Sequence, residues 1–90
     1  MTEPVIDVER LEEMANQIAD FFSPYPDERA VEGIRNHLRN YWDPRMRVAL
    51  LEHDSGGGAG LDPRVRLAVA RLREDADVRA YAGPPRDRAF

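Results

Sequence analysis

The sequence predicts an all-α fold, a small bundle of three to four short helices with flexible termini. Three observations carry that expectation. Apolar residues recur three and four positions apart in successive stretches, not at every second position. Each stretch is introduced by an aspartate, twice directly before a proline (Asp43-Pro44 and Asp62-Pro63), the pairing that suits a helix start. Between the stretches lie Pro24, Pro26 and the run Ser55-Gly56-Gly57-Gly58-Ala59-Gly60, all helix breakers. No segment reads as a strand and no internal repeat is evident.

The first helix is expected from about Val8 to Phe22. Leu11, Met14, Ala15, Ile18, Phe21 and Phe22 fall within an arc of roughly 120° and form a core-facing stripe. Asp7 is placed to cap it, with Glu9, Glu12 and Glu13 where the helix dipole favours anions. A second helix follows, with Asp27 as its expected cap and Val31, Ile34, Leu38, Tyr41 and Trp42 as its apolar face. Gly33 lies nearly opposite Val31 and costs about 1 kcal/mol against alanine in a helix interior. Either another group approaches its backbone closely or it is a tolerated surface glycine.

Asp43-Pro44 starts a short third helix, residues 44–53. Met46, Ala49 and Leu50 mark one side of it while Val48 and Leu51 fall well away. A helix apolar on more than one side is either central to its fold or covered by a partner; the thinness of this protein favours a partner. Residues 55–60 read as a flexible turn. Asp62-Pro63 then opens a fourth helix to about Ala76, with Val65, Ala68, Val69, Leu72 and Ala76 inward and Leu67 outward. The stretch from Gly83 to Phe90 has no periodicity and is expected to be disordered alone.

Ninety residues allow one domain with a thin core. The absence of cysteine excludes disulfides, thiolate catalysis, iron–sulfur ligation and cysteine-bound zinc. MTEPVIDVER is acidic, without a basic region or an apolar run, so no secretory signal is expected. No apolar run approaches a membrane span, and a cytoplasmic location follows by default. The net charge of −4 is unevenly spread: −7 over residues 1–32, +2 over 33–53 and +1 over 54–90. Every basic residue is arginine. That reflects either the codon preference of a GC-rich genome or the suitability of arginine forks for interfaces.

Catalytic chemistry is not found. His37 and His53 lie on different helices, with no HExxH pattern to suggest a metal. His37, at the edge of the second helix's apolar stripe near Tyr41, reads as a structural or interface residue. Ser23 and Ser55 lack a nucleophile-elbow context. The glycine run follows a helix and lacks the Gly-Lys-Ser/Thr ending of a phosphate loop. Arg35, Arg39, Arg45 and Arg47 raise the question of nucleic acid, but the chain is acidic, with a pI near 5.1, and Asp43 and Glu52 interrupt the basic series. No metal, cofactor, membrane or nucleic-acid partner is expected.

Three segments share a distinctive order and spacing: MANQIADFF (14–22), HLRNYWDPRMR (37–47) and GGAGLDPRVRLA (57–68). Together they resemble the delta subunit of the NAD-dependent, molybdenum-containing formate dehydrogenase, over roughly residues 8–72. The resemblance implies a small accessory subunit of a cytoplasmic complex that oxidises formate and passes electrons to NAD. The molybdenum cofactor, iron–sulfur clusters and flavin belong to the larger alpha, beta and gamma subunits, so this chain would carry none. It would be non-catalytic and support assembly, stability or cofactor maturation by docking on the alpha subunit.

On that basis the chain divides into an N-terminal tail (1–6), a helical accessory-subunit domain (7–77) and a disordered C-terminal tail (78–90). The expected partner interface is Asn16, Gln17, Phe22, His37, Trp42, Arg45 and Arg47. Asn16 and Gln17 lie off the first apolar stripe yet inside the motif, Trp42 suits an anchor, and the two arginines flank the third helix. The alternative is a free-standing homodimeric or regulatory helical protein, joined through the exposed side of the third helix and Leu67.

Overall fold

The structure, a computed structural model, describes residues 7–75. The expected tails and the inward placement of Ala76 lie outside the described residues. Four helices follow in order: α1 (Val8–Phe21), α2 (Asp27–Tyr41), α3 (Pro44–Ser55) and α4 (Pro63–Arg73). Among the described residues there is no strand. The chain folds as a small all-α bundle.

Three of the four helix starts are capped as the aspartates predict. The Asp7 carboxylate accepts from the backbone N–H groups of Glu9 and Arg10, at 3.0 and 3.3 Å. Asp43 accepts from Met46 at 2.9 Å and Asp62 from Arg64 at 2.8 Å, each with proline at the next position. Each bond satisfies an amide that the first helical turn leaves without a partner. Asp27 differs. It is the first residue of α2, Pro26 stands at the cap position, and no side chain caps the end. Pro26, at φ −59°, already holds the backbone there, and its carbonyl accepts from Ala30 at 2.8 Å. Asp27 and Glu28 support this start only through the helix dipole.

α2 and α4 share the most extensive contact, and α1 touches all three other helices. Apart from Trp42 the core is aliphatic: Val31, Ile34 and Leu38 from α2, Leu50 and Leu51 from α3, Val65, Ala68, Val69 and Leu72 from α4. α1 contributes Leu11, Ala15 and Ala19, one line at four-residue spacing. Its buried face is therefore rotated from the expected stripe. Ala19 is fully buried, whereas Phe21 is 70% exposed. Small residues along this line let α1 lie close to its neighbours, and the bulkier Met14, Ile18 and Phe22 pack at the edge. Tyr41 also departs from expectation, at 77% exposure. α2 ends there, and the extended backbone of Trp42 (φ −90°, ψ 141°) turns the indole into the core instead.

The apolar residues of α3 do not wait for a partner. Leu50 and Leu51 are buried, Met46, Val48 and Ala49 half-buried, because α1 and α4 cover different sides of the helix. The surface expected for a homodimer through α3 is thus taken up inside the chain, leaving Leu67 as its one exposed member. Gly33 is resolved as a close approach. A Cβ there would collide with the ring of Phe22, so the missing side chain is the seat that Phe22 occupies between α1 and α2.

Arginines reach back to helix C-termini, where carbonyls lack partners and the dipole is negative. Arg47 is 4% exposed; its Nη1 donates to the carbonyls of Arg39, at 3.1 Å, and Trp42, at the end of α2. Arg73 donates to Leu51 O and Ser55 Oγ, both at 2.8 Å, at the end of α3. Arginine's long stem and planar fork make this reach possible, which accounts for part of the preference that composition left open.

Candidate docking surface

Four of the seven residues expected at an interface meet in one place. Gln17 and Phe22 from the α1 side, and His37 and Trp42 from α2 and its end, line an open groove of about 470 Å³ together with Met14, Ile18 and Phe21. Helical spacing explains the α1 wall: 14, 17, 18 and 21 are three and four apart and share one side. Trp42 forms the floor at 5% exposure, belonging at once to the core and to the groove. The aromatic edge is layered. Phe21 and Phe22 stand edge to face at 5.0 Å between centroids, Phe22 and Tyr25 lie 5.6 Å apart, and His37 and Tyr41 4.9 Å apart. Gln17 makes no hydrogen bond among the described residues, and neither does the His37 ring, which packs at a tilt against Tyr41.

The other three expected residues go elsewhere. Asn16 is one residue from Gln17 but about 100° around the helix, and it faces the loop before α4. Its amide donates to Gly60 O at 2.8 Å and its oxygen accepts from Asp62 N at 2.9 Å, as a backbone peptide would. Arg47 is buried at the end of α2, as above. Arg45 is exposed in the first turn of α3. Phe21 and Tyr41, which the sequence pattern assigns to the core, are exposed beside this groove, and Met14 and Ile18, assigned likewise, are half-buried along its wall. The Phe21-Phe22 pair held a signal: adjacent helical side chains point about 100° apart, so two large rings cannot both enter a narrow core.

The glycine loop is pinned on both sides and is not the flexible turn its composition suggests. Gly57, Gly58 and Gly60 have φ values of 123°, 65° and 84°, open to glycine and strained for other residues. The His53 Nε2 lies 2.8 Å from both Ala59 O and Glu12 Oε2, two acceptors, so this nitrogen carries the proton. Glu12 also presses on Gly60, where a Cβ would meet its Oε1 at 2.8 Å. Across the loop, Arg66 and Arg73 converge on Asp54 at 2.8 and 3.1 Å. Burial alone would raise the Asp54 carboxyl; the bonds from the two guanidinium groups outweigh it and hold the group below its ordinary value.

A second, polar cleft lies between α2 and α4, lined by Glu32, Arg35, Arg71, Glu74 and Asp75. Arg71 grips both Glu28 oxygens, at 2.8 and 2.9 Å, and Glu32 at 2.9 Å. Arg35 bridges Glu32 and Asp75. The bond from Arg71 lowers Glu28, and those from Arg35 and Arg71 lower Glu32. The same carboxylates raise Arg71 above its usual value. Apart from Glu74, its charges answer one another, and the cleft ties α4 to α2. Among the described residues no group of three or more His, Asp or Glu side chains could hold a metal ion. No described helix is long and apolar enough to cross a membrane.

A family profile described as NADH-dependant formate dehydrogenase delta subunit FdsD matches residues 10–69, two thirds of the chain. The chain belongs to that family. No curated protein and no solved structure matches it. The span that defines the delta-subunit family runs from the first turn of α1 into α4, so it takes in both the groove and the pinned loop. Membership makes the chain a subunit of a formate dehydrogenase complex.

Proposed function

We propose that the chain is a non-catalytic accessory subunit that docks on the alpha subunit of a cytoplasmic NAD-dependent formate dehydrogenase and supports its assembly, stability or molybdenum-cofactor maturation. The observation that carries this is the α1–α2 groove. It gathers Phe21, Phe22, His37 and Trp42 on one face of a ninety-residue protein, with Tyr41 packed against His37 beside it, and large aromatic residues around a pocket are the usual anchors of a protein interface. Gln17 and His37 supply polar contacts within it. Arg45, exposed just beyond Trp42, would form part of the rim, whereas Asn16 and Arg47 would act indirectly by holding the loop and the end of α2.

Co-purification with a tagged alpha subunit tests this. A Phe21→Ser/Tyr41→Ser double variant is expected to keep its helical circular dichroism and lose at least roughly tenfold in recovery. An Arg45→Glu variant is expected to weaken recovery modestly, as rim charges do. Wild-type recovery of the double variant would remove the groove from consideration as the docking face.

A further inference from the structure

We infer that the groove's occupant is an amphipathic helix of the partner with a basic flank, seated so that its lysines or arginines run along the α1 edge; this rests on the groove being the docking face. The two long edges of the groove differ in charge. On α1, Glu13 and Asp20 stand four residues before and three after Gln17, and helical spacing puts them beside it at the groove's edge. Both are exposed, and neither pairs with a cation among the described residues. The α2 edge carries no acid: the exposed amides Asn36 and Asn40 lie one and three residues from His37, and Arg29, on the same side of the helix, stands over the Tyr25 ring at its far end. The other nearby bases, Arg10 one turn before Met14 and Arg45 three residues past Trp42, stand at the opposite end of the groove, so none of the three lies along the Glu13–Asp20 side of α1.

Elsewhere several carboxylates are paired within the chain. Glu12, Glu28, Glu32, Asp54 and Asp75 all meet a cation or a histidine within the chain. Glu13 and Asp20 are left unanswered, as are the exposed Glu9, Asp27, Glu52 and Glu74, but these two stand beside an apolar opening lined by aromatic residues. A groove between two helices, open along its length and floored by an indole, fits the side chains of a third helix laid into it. The uncompensated acids select the sign of that helix's flank. They also disfavour a second copy of this chain, which would bring the same acids to the contact.

Trp42 is the only tryptophan in the protein and lines the groove, so its fluorescence reports occupancy directly. The probes are two tryptophan-free helical peptides of about 18 residues with the same leucine stripe, one flanked by lysine and one by glutamate. With the full chain at about 50 mM salt, the lysine peptide is expected to bind roughly tenfold more tightly, and the ratio to shrink as salt rises. A Glu13→Lys/Asp20→Lys variant, checked for unchanged circular dichroism, is expected to reverse the preference. Equal binding of the two peptides, a preference untouched by the reversal, or no Trp42 response overturns the inference. So does a dimer of the pure chain by sedimentation that Phe21→Ser dissolves, which would identify a second copy as the occupant.

Recovery with the tagged alpha subunit separates this inference from the reading beneath it. If Phe21→Ser/Tyr41→Ser abolishes recovery but Glu13→Lys/Asp20→Lys does not, the docking face stands and the basic helix falls. If neither variant matters, both fall. Loss in both supports both.

Discussion

The two flanks of α1 have opposite fates. On one, Asn16 and Glu12 are committed to the chain itself: they hold Gly60, Asp62 and His53, and through them the start of α4. On the other, Gln17, Phe21 and the neighbouring His37 and Tyr41 surround an opening that nothing in the described chain fills. Both flanks lie within the span that defines the family. A recognisable motif can thus be recognisable for two unrelated reasons, one internal and one directed outward, and neighbouring residues on a helix can serve different ones. The loop side answers every conspicuous polar group; the groove side leaves aromatic area exposed and carboxylates unpaired.

The comparison makes demands that can be measured, beginning with the side that is closed. Replacing Arg47 by methionine would leave the carbonyls of Arg39 and Trp42 without their donor in a buried place, at a cost of about 2–4 kcal/mol by urea denaturation. The partner-binding loss should then be no greater than the loss of folded protein explains. Asn16→Ala should cost about 1–2 kcal/mol, since it removes two hydrogen bonds that fasten the loop. Gln17→Ala, one residue on, should change stability by no more than about 0.5 kcal/mol while reducing recovery with the alpha subunit. If the adjacent pair behaves alike in both measurements, the division between the flanks is wrong.

Gly33→Ala sharpens the outward side. Alanine recovers about 1 kcal/mol of helix propensity, but its Cβ needs the space of the Phe22 ring. The ring must swing toward the groove, so stability should move by less than about 1 kcal/mol while peptide or alpha-subunit binding falls. The smallest expected effect is at the polar cleft. Glu28 and Glu32 are held below their ordinary value of 4.5, so their pairing stabilises the fold above about pH 4.5. That contribution is lost as the pH falls through their lower folded values. Both groups are solvent-exposed and screened. Arg71→Met should therefore leave stability at neutral pH little changed and flatten its decline between neutral and acid conditions, as read by urea midpoints across pH.

Much of this was legible in the chain. Helical period, the capping aspartates and the Asp-Pro starts are local properties, set within a turn or two of backbone, and they placed the helix starts closely, while α4, expected to reach about Ala76, ends three residues earlier at Arg73. Asp27 is the exception, standing inside the helix because the proline before it holds the cap position. The site was half legible. Gln17, Phe22, His37 and Trp42 do come together, but Phe21 and Tyr41 read as core residues because periodicity gives a stripe's direction only to within a residue on either side. Whether α1 buries Ala19 or Phe21 is settled by how closely its neighbours approach.

What the sequence determined by itself was class and kinship: a cysteine-free, all-helical chain whose motifs carry the delta-subunit family. What only the tertiary structure decided was allegiance. Gly33 became the seat of Phe22, Arg47 the cap of another helix, Asn16 the clasp of a loop 44 residues away. Such roles depend on which surfaces meet across the fold, and a helix's own period records where a side chain points without recording what stands there to meet it.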